Sequence, residues 1–180
     1  MKLDLSKVEF SKKDLVREIK ILAVIVILIA GSFSVFKLFS FENCPIREEI
    51  YKVRGNSLAG LLENDSSVKI LFGFYECNEI KKEDIIIYNY SGNQNPIIKI
   101  IKAVPRDNFQ LEKYSSGWRI LINGKPLQNF KNEVYILNEN AYRVLFLYEK
   151  DYIGVIPDDA YLIFGNLAGG SLDSSAFGLI

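Results

Sequence analysis

Histidine is absent from the 180-residue chain, and with it the commonest general base of enzymes. No Ser-His or Cys-His catalytic pair can form without this residue. Zinc sites draw mainly on histidine and cysteine ligands, and the only two cysteines, Cys44 and Cys77, do not form a C-x-x-C pair. We therefore predict that the chain holds neither a metal ion nor another cofactor.

An excess of positive charge is also missing, because 22 basic residues are balanced by 22 acidic ones. Proteins that bind nucleic acid normally carry a clear basic excess. Nucleic acid is therefore not an expected partner. The length suits one domain, and the 49% of hydrophobic residues can supply one core.

A long apolar segment is present near the N-terminus, at residues 19–41. No charged residue interrupts it from Ile21 to Phe36, and with its apolar flanks it reaches the roughly 20 residues that span a bilayer. The alternative is a cleaved secretory signal, but the apolar core of such a signal is usually shorter. We predict an uncleaved transmembrane helix, with the lipid bilayer as a partner.

Basic residues set the expected orientation of this helix. Six lysines and arginines precede its apolar core, whereas Lys37 follows it. By the positive-inside rule, residues 1–18 are cytoplasmic, and residues 42–180 form the extracytoplasmic domain of a single-pass plasma-membrane protein. A disulfide between Cys44 and Cys77 would be compatible with that location. We expect none, because Cys44 lies so close to the membrane.

The pattern of residues 42–180 is typical of an antiparallel β-fold. Short runs rich in Ile, Val, Tyr and Phe alternate with polar turns. Asn123-Gly124 is a strong hairpin signal, so residues 109–127 should form a β-ribbon. The run YRVLFLY at 142–148 is expected to be a strand as well, and no long helix is expected after residue 50. We therefore predict a mainly β, antiparallel domain.

Ser57 is the candidate nucleophile, within the stretch VRGNSLAGLL at residues 53–62. Without histidine, the remaining activator of a serine is a neutral lysine. Burial among apolar neighbours favours the neutral form, and the apolar stretch NPIIKIIKAVPRD offers Lys99 and Lys102. In a regular strand the two lysines lie on opposite faces, both apolar, so alternation does not choose between them.

The C-terminal segment, residues 165–180, is rich in glycine and serine but ends on apolar residues. An apolar end suits docking on the core rather than fraying. Ser171, Asp173, Ser174 and Ser175 could orient one another in this segment. It is therefore a third candidate part of a functional site.

These pieces, in this order, resemble the type I signal peptidases, the membrane serine proteases that remove signal peptides from exported proteins. Ser57–Leu62 is similar to the family's Ser-Met-x-Pro-Thr-Leu box, and Glu83–Tyr88 is similar to its Gly-Asp-Ile-Val-Val strand. Lys99–Asp107 is similar to the box Lys-Arg-x-x-Gly-x-Pro-Gly-Asp. That register selects Lys99, rather than Lys102, as the general base.

The second half of the chain continues the resemblance, with departures. INGKPL at residues 122–127 looks like the family's ribbon sequence, and Gly165–Gly178 is similar to Gly-Asp-Asn-x-x-x-Ser-x-Asp-Ser-Arg-x-x-Gly. Asn166 stands where the family has aspartate. Ser175 replaces the arginine, so a salt bridge to Asp173 is lost. The chain is thus identified as a divergent member.

The resemblance implies a Ser-Lys dyad. Ser57 attacks the scissile carbonyl, and neutral Lys99 takes its proton. Ser171 holds the lysine ammonium by a hydrogen bond, with Asp173 in support.

The oxyanion site is expected to be reduced. Gly55 stands where some members of the family have a serine whose hydroxyl binds the oxyanion. The oxyanion should then rely on backbone N–H groups, chiefly that of Ser57, with Asn56 or water in place of the missing hydroxyl.

The implied partners are the signal peptides of preproteins. Such a segment is expected to bind as an extended strand, by β-augmentation beside the Lys99 strand or the segment that leads into Ser57. Small apolar pockets would favour small residues before the cleaved bond. From strand alternation, the pocket residues are predicted to be Leu58, Ile85, Ile87 and Ile101.

Three alternatives stay open. A lineage that has lost activity would leave a non-catalytic β-domain of the envelope, in which Ser57 and Lys99 are dispensable. A maturation peptidase for conjugative pili or other specialised exported proteins would share the dyad and differ in substrate. A self-cleaving repressor has a similar Ser-Lys core, but the predicted membrane span and the balanced charge argue against it.

Overall fold

The computed structural model describes residues 22–23, 25–26, 44–91 and 95–180. The chain divides into two units, Met1–Asn43 and Cys44–Ile180. The four described residues of the first unit have helical backbone. The predicted transmembrane segment, residues 19–41, therefore lies almost entirely outside the described residues. Within those that are described, no helix has the length and apolar character needed to cross a membrane.

The second unit is built mainly from short antiparallel strands. Its described residues form β1 (Arg47–Lys52), β2 (Ser67–Phe72), α1 (Phe74–Cys77), β3 (Ile85–Tyr88), β4 (Ile97–Ala103), β5 (Phe109–Tyr114), β6 (Gly117–Ile122), β7 (Lys125–Pro126), β8 (Ile136–Leu137), α2 (Glu139–Asp151), β9 (Leu162–Phe164) and α3 (Ser174–Phe177). The strands form a β1-β2 hairpin, a β3-β4-β9 sheet and a sheet of β5, β6 and β7 in which β8 also pairs with β6. The predicted mainly β, antiparallel class is confirmed for this unit.

Strand β4 lies at the centre of its sheet and holds both candidate lysines. It pairs with β3 along one edge, where Ile86 lies opposite Lys99, and with β9 along the other. Six of its seven residues are buried. This burial explains why β4 reads as an apolar run on both faces.

A β-bulge near the end of β4 changes the direction of Lys102. Ile101 pairs with Ile163 and Ala103 pairs with Leu162, so one extra residue is inserted between them. Ala103 and Leu162 belong to the core. In a regular strand Lys102 would have been the partner of Leu162, and the bulge gives that position to Ala103. Simple alternation along β4, on which the expectation of opposite faces for the two lysines rested, therefore does not hold beyond Ile101.

The predicted β-ribbon over residues 109–127 is confirmed. β5 pairs with β6 along its length, and β6 then turns through Asn123 and Gly124 into β7. Both turn residues have positive φ, 52° and 75°, as the two-residue hairpin requires. Phe109 and Ile120 from this ribbon are fully buried in the core, where each such side chain contributes about 2 kcal/mol of apolar burial.

The prediction of a strand at residues 142–148 is wrong, because these residues lie in helix α2. The side chain of Asn138 caps the helix by accepting the Ala141 amide at 3.0 Å. Leu145 is fully buried in the core, and the Tyr142 ring stacks on Trp118 at 4.2 Å between centroids. Burial at helical spacing thus outweighs the strand preference of aromatic and β-branched residues. The expectation of no long helix after residue 50 fails with it.

Cys44 and Cys77 form a disulfide, contrary to expectation, with their Cα atoms 5.8 Å apart. The β1-β2 hairpin is the reason. Its register sets Arg47 opposite Phe72, so the residues just before β1 lie beside those just after β2. The hairpin pairing, rather than the position of Cys44 next to the predicted membrane span, decides whether the two thiols meet.

Candidate active site

Ser57 lies in the loop between β1 and β2. Gly55 and Gly60 on either side of it have φ values of 91° and 85°, a region that favours glycine. Proline, the family's residue at position 60, cannot adopt this φ. The Leu61 and Leu62 amides donate to the Leu58 carbonyl at 2.9 and 2.8 Å. The loop thereby forms a tight turn that leaves Ser57 half-buried.

The β4 lysine nearest to this turn reaches the serine hydroxyl. Lys99 Nζ lies 2.9 Å from Ser57 Oγ and 2.9 Å from the Ile98 carbonyl oxygen. As an ammonium, Nζ donates to both oxygens. As a neutral amine, it can accept the serine proton instead. The contact therefore has the geometry needed for proton transfer between the two groups.

The surroundings of Lys99 favour its neutral form. Its residue is only 3% exposed, and this burial lowers the pKa of Lys99, while the negative charge of Asp173 acts in the opposite direction. Among the described residues, no carboxylate lies within salt-bridge distance of Nζ. Lys99 is thus placed to lose its proton at a lower pH than an exposed lysine.

Lys102 is equally buried but has different partners. Its Nζ lies 2.8 Å from Glu83 Oε2, donates to the Gln128 carbonyl at 3.1 Å and lies 5.0 Å from the centre of the Phe130 ring. These contacts are an ion pair, a hydrogen bond and a cation–π contact. The structure therefore distinguishes the two lysines, which alternation alone did not.

Asp173 is the centre of a hydroxyl and amide cluster beside the dyad. One carboxylate oxygen accepts from Ser171 Oγ at 2.5 Å and from the Gly165 amide at 3.2 Å. The other accepts from the Ser175 amide and hydroxyl at 3.0 and 2.7 Å. Ser175, which stands in place of the family's arginine, thus satisfies this fully buried carboxylate without a salt bridge.

The expected hydrogen bond from Lys99 to Ser171 is not formed in this structure. The hydrogen-bond partners of Lys99 Nζ are Ser57 Oγ and the Ile98 carbonyl, whereas the Ser171 hydroxyl points to Asp173. The carboxylate is the stronger acceptor for a hydroxyl proton. Ser171 therefore stands next to the dyad as a partner of Asp173.

The backbone amides around Ser57 are candidate donors for an oxyanion, and some of them have no hydrogen-bond partner in the described structure. The Gly55 amide donates to Asn64 Oδ1 at 2.9 Å, so this donor is occupied. Asn56 is exposed, and its carbonyl accepts the Ala59 amide at 3.0 Å. The Ser57 amide has no hydrogen-bond partner within the described part of the chain. The neighbouring amides of Asn56 and Leu58 also lack a partner among the described residues, so Ser57 lies at the middle of three consecutive backbone donors that a bound oxyanion could use.

The predicted pocket residues separate into two groups. Leu58 and Ile101 are fully buried, and Ile101 lies on the same face of β4 as Lys99. Ile85 and Ile87 lie opposite Ile100 and Ile98 in the register of β3 and β4. Cross-strand partners share a face, so these two isoleucines face away from Lys99. Their prediction as pocket residues beside the dyad is wrong.

Ile86 is the residue of β3 that this prediction missed. It lies opposite Lys99 and therefore shares the face of the lysine side chain. Alternation within one strand could not identify it, because every residue of IIIY is apolar. Only the register between β3 and β4 places Ile86 opposite Lys99, and the sequence pattern of one strand does not contain this register.

The model of one protein family, described as signal peptidase, peptidase S26, matches residues 16–180. The chain belongs to this family. The match spans most of the sequence, and it confirms the resemblance drawn from the serine, lysine and C-terminal boxes. No curated protein matches the chain significantly. At the level that the family supports, the protein is a signal-peptidase-type serine protease.

Proposed function

We propose that this member of the signal peptidase family is a type I signal peptidase. It would be a membrane-anchored serine endopeptidase that removes the N-terminal signal peptides of exported preproteins, with Ser57 and Lys99 as its catalytic dyad. The observation that carries the proposal is the 2.9 Å separation of Lys99 Nζ and Ser57 Oγ. The chain has no histidine, so this lysine is the base within reach of the hydroxyl.

Acylation starts with the serine hydroxyl hydrogen-bonded to the neutral amine of Lys99. Ser57 Oγ attacks the scissile carbonyl carbon while its proton passes to Nζ. The ammonium then gives this proton to the leaving amine, and the mature protein departs with a new N-terminus. An ester between Ser57 and the signal peptide remains. Neutral Lys99 next deprotonates a water molecule, which hydrolyses the ester and restores the serine.

The anionic intermediate needs donors that are fixed before the reaction begins. The Ser57 amide is one such donor, because it has no hydrogen-bond partner among the described residues. Gly55 contributes no hydroxyl, and one missing donor in a preorganised site costs about 3 kcal/mol. Asn56, whose side chain is exposed beside the serine, is the residue that could supply the second donor.

Substrate would bind along β4 as an extended strand. Pairing with β9 begins at Ile100, so within the described residues no strand pairs with that edge of Ile97–Lys99. An added strand at this edge would run past Ser57, with its main-chain groups paired to β4 and alternate side chains in pockets. Ile86 is partly exposed and shares the face of Lys99, so it would offer an apolar contact to a small side chain before the cut, with the buried Leu58 and Ile101 behind it.

A location on the outer face of the membrane agrees with two features. The predicted span at residues 19–41 would anchor the chain, and the positive-inside rule would place the second unit outside the cytosol. The Cys44–Cys77 disulfide is of a kind that persists in oxidising compartments. The dyad would then meet the signal peptide where the exported chain emerges.

Cleavage of a preprotein by the detergent-solubilised full-length chain tests the proposed function. Mass spectrometry of the products should find one cut that follows a small residue at the end of the signal peptide, and Ser57→Ala should abolish it. If wild-type protein leaves the preprotein intact under conditions where it is folded, the proposed function is wrong, and the non-catalytic β-domain and the maturation peptidase with another substrate are the alternatives that stay open.

A further inference from the structure

Asn166 is a fully buried polar residue two residues after the end of β9, in the position where the family has aspartate. It is 2% exposed, and each of its polar groups has a partner. Its backbone amide donates to the Ser57 carbonyl at 2.6 Å, and its side-chain Nδ2 donates to the Ala59 carbonyl at 2.9 Å. One residue thus holds the backbone of the serine turn at two points, on either side of Leu58.

The other half of the Asn166 side chain is tied to a different segment. Its Oδ1 accepts the Phe130 amide at 3.0 Å, and its carbonyl accepts from Asn129 Nδ2 at 3.0 Å. Asn129 is itself buried. The serine turn is therefore connected through Asn166 to the segment that follows β7.

The neighbouring Gly165 permits this arrangement. A Cβ at that position would lie 2.7 Å from the Ser57 carbonyl oxygen and 2.5 Å from Ser171 Oγ, so only glycine lets β9 come this close to the turn. An aspartate at 166 would retain an acceptor for the Phe130 amide. It could not donate to the Ala59 carbonyl and would set a negative oxygen against it.

We infer that Asn166 is a positioning residue for the nucleophile: its amide side chain fixes the turn of Ser57–Ala59, and thereby the distance between Ser57 Oγ and Lys99 Nζ. The inference rests on the proposed function for its catalytic consequence. The side chain touches no reacting atom, so it acts through the backbone of the turn. Displacing the hydroxyl by about 1 Å is enough to cost about 10²-fold in rate.

The test uses Asn166→Ala and Asn166→Asp in the full-length chain, with Asn123→Ala as a matched control. Asn123 also accepts a backbone amide and donates from Nδ2, to Asp107, but it lies in the ribbon turn. For preprotein cleavage, both Asn166 variants should lower kcat by about 10²-fold with KM within about twofold. Asn123→Ala should leave kcat within about threefold.

Hydrogen exchange supplies a readout that does not depend on activity. Amides in the peptide that covers Leu58–Leu62 should exchange faster in both Asn166 variants than in wild type, while peptides of the ribbon are unchanged. Aspartate has nearly the same size as asparagine. If Asn166→Ala does not fold, Asn166→Asp therefore tests the inference by itself.

The possible failures are distinguishable. Wild-type protein that cleaves nothing would overturn the proposed function, and the positioning role with it. Wild-type protein that cleaves, together with Asn166 variants whose kcat and turn exchange match those of wild type, would overturn the inference alone. The inference alone would also be overturned if kcat falls no further in the Asn166 variants than in Asn123→Ala.

Discussion

Strand β4 carries two lysines that are three residues apart and equally buried, each 3% exposed, yet they meet opposite environments. Lys99 Nζ reaches a serine hydroxyl and a carbonyl oxygen. Lys102 Nζ reaches Glu83, a carbonyl and an aromatic face. The partners of Lys99 carry no negative charge to balance an ammonium at close range, whereas Lys102 has the carboxylate of Glu83.

The difference shows that burial alone does not prepare a lysine for catalysis. A desolvated ammonium that gains a carboxylate stays charged, whereas one that gains only neutral oxygens has a reason to lose its proton. A β-bulge lies between the two environments, because Ala103 rather than Lys102 takes the place opposite Leu162 of the core, while Lys102 Nζ contacts Glu83. Under the proposed function, Lys102 therefore has a structural role and Lys99 a chemical one.

The largest expected effect comes from removing either half of the dyad. Ser57→Ala and Lys99→Met should each lower kcat for preprotein cleavage by about 10⁴-fold or more, because nucleophile and base act as a unit. Lys102→Met is the matched control and should change kcat by less than about tenfold. The reverse pattern, with cleavage lost in Lys102→Met and kept in Lys99→Met, would exchange the roles of the two lysines.

The two faces of β3 provide a second contrast. Ile86 lies opposite Lys99, and Ile85 faces the other way. Ile86→Trp should raise KM by about 10- to 100-fold, since the larger ring would occupy the face where substrate is expected to lie. Ile85→Trp introduces the same ring on the other face and should change KM by less than about threefold. Equal effects in steady-state kinetics would show that the register does not define the pocket.

Breaking the ion pair of Lys102 should affect stability more than activity. Glu83→Gln leaves a buried ammonium without its carboxylate. Because the Glu83 side chain is 51% exposed, solvent replaces part of the lost interaction, and we expect a loss of about 1–2 kcal/mol in urea unfolding. kcat should be unchanged at temperatures where the variant is folded. A large loss of kcat in folded protein would mean that the pair belongs to the catalytic machinery.

The charge of Asp173 should shift the pH profile. Its carboxylate raises the pKa of Lys99 against the lowering effect of burial. Neutral lysine accumulates as pH rises through that pKa, so kcat/KM should rise with pH over the same range. In Asp173→Asn the rise should move to lower pH. The profile of Lys102→Met should coincide with that of wild type, and a shift of equal size there would argue that Lys99 is not the titrating group.

Much of this arrangement could be predicted from the sequence, and the exceptions have physical causes. The ribbon was predictable because Asn123-Gly124 specifies its turn. The spacing of the family boxes predicted the pair Ser57 and Lys99, and the structure brings the two side chains within hydrogen-bond distance. Helix α2 was missed because its aromatic residues favour strands and only packing on Trp118 and the core selects the helix.

The remaining wrong predictions concern contacts between different strands. Register between β3 and β4 decides that Ile86, rather than Ile85, shares the lysine face, and no pattern within a single strand contains this information. The Cys44–Cys77 pairing likewise follows from the β1-β2 hairpin. Asn166 looked like a departure from the family box. Its contacts with the Ser57 and Ala59 carbonyls depend on a chain approach that only the folded structure brings about.

The central claim is that Lys99 is the neutral base of Ser57, and NMR titration of this one side chain tests it most directly. In protein labelled with ¹³C at the lysine Cε position, the Lys99 resonance is identified by its loss in Lys99→Arg. We expect it to titrate below the value of about 10.4 that is typical of exposed lysines, with a midpoint that coincides with the rise of kcat/KM. A Lys99 resonance that titrates together with the exposed lysines, in protein that is active at lower pH, would contradict the account.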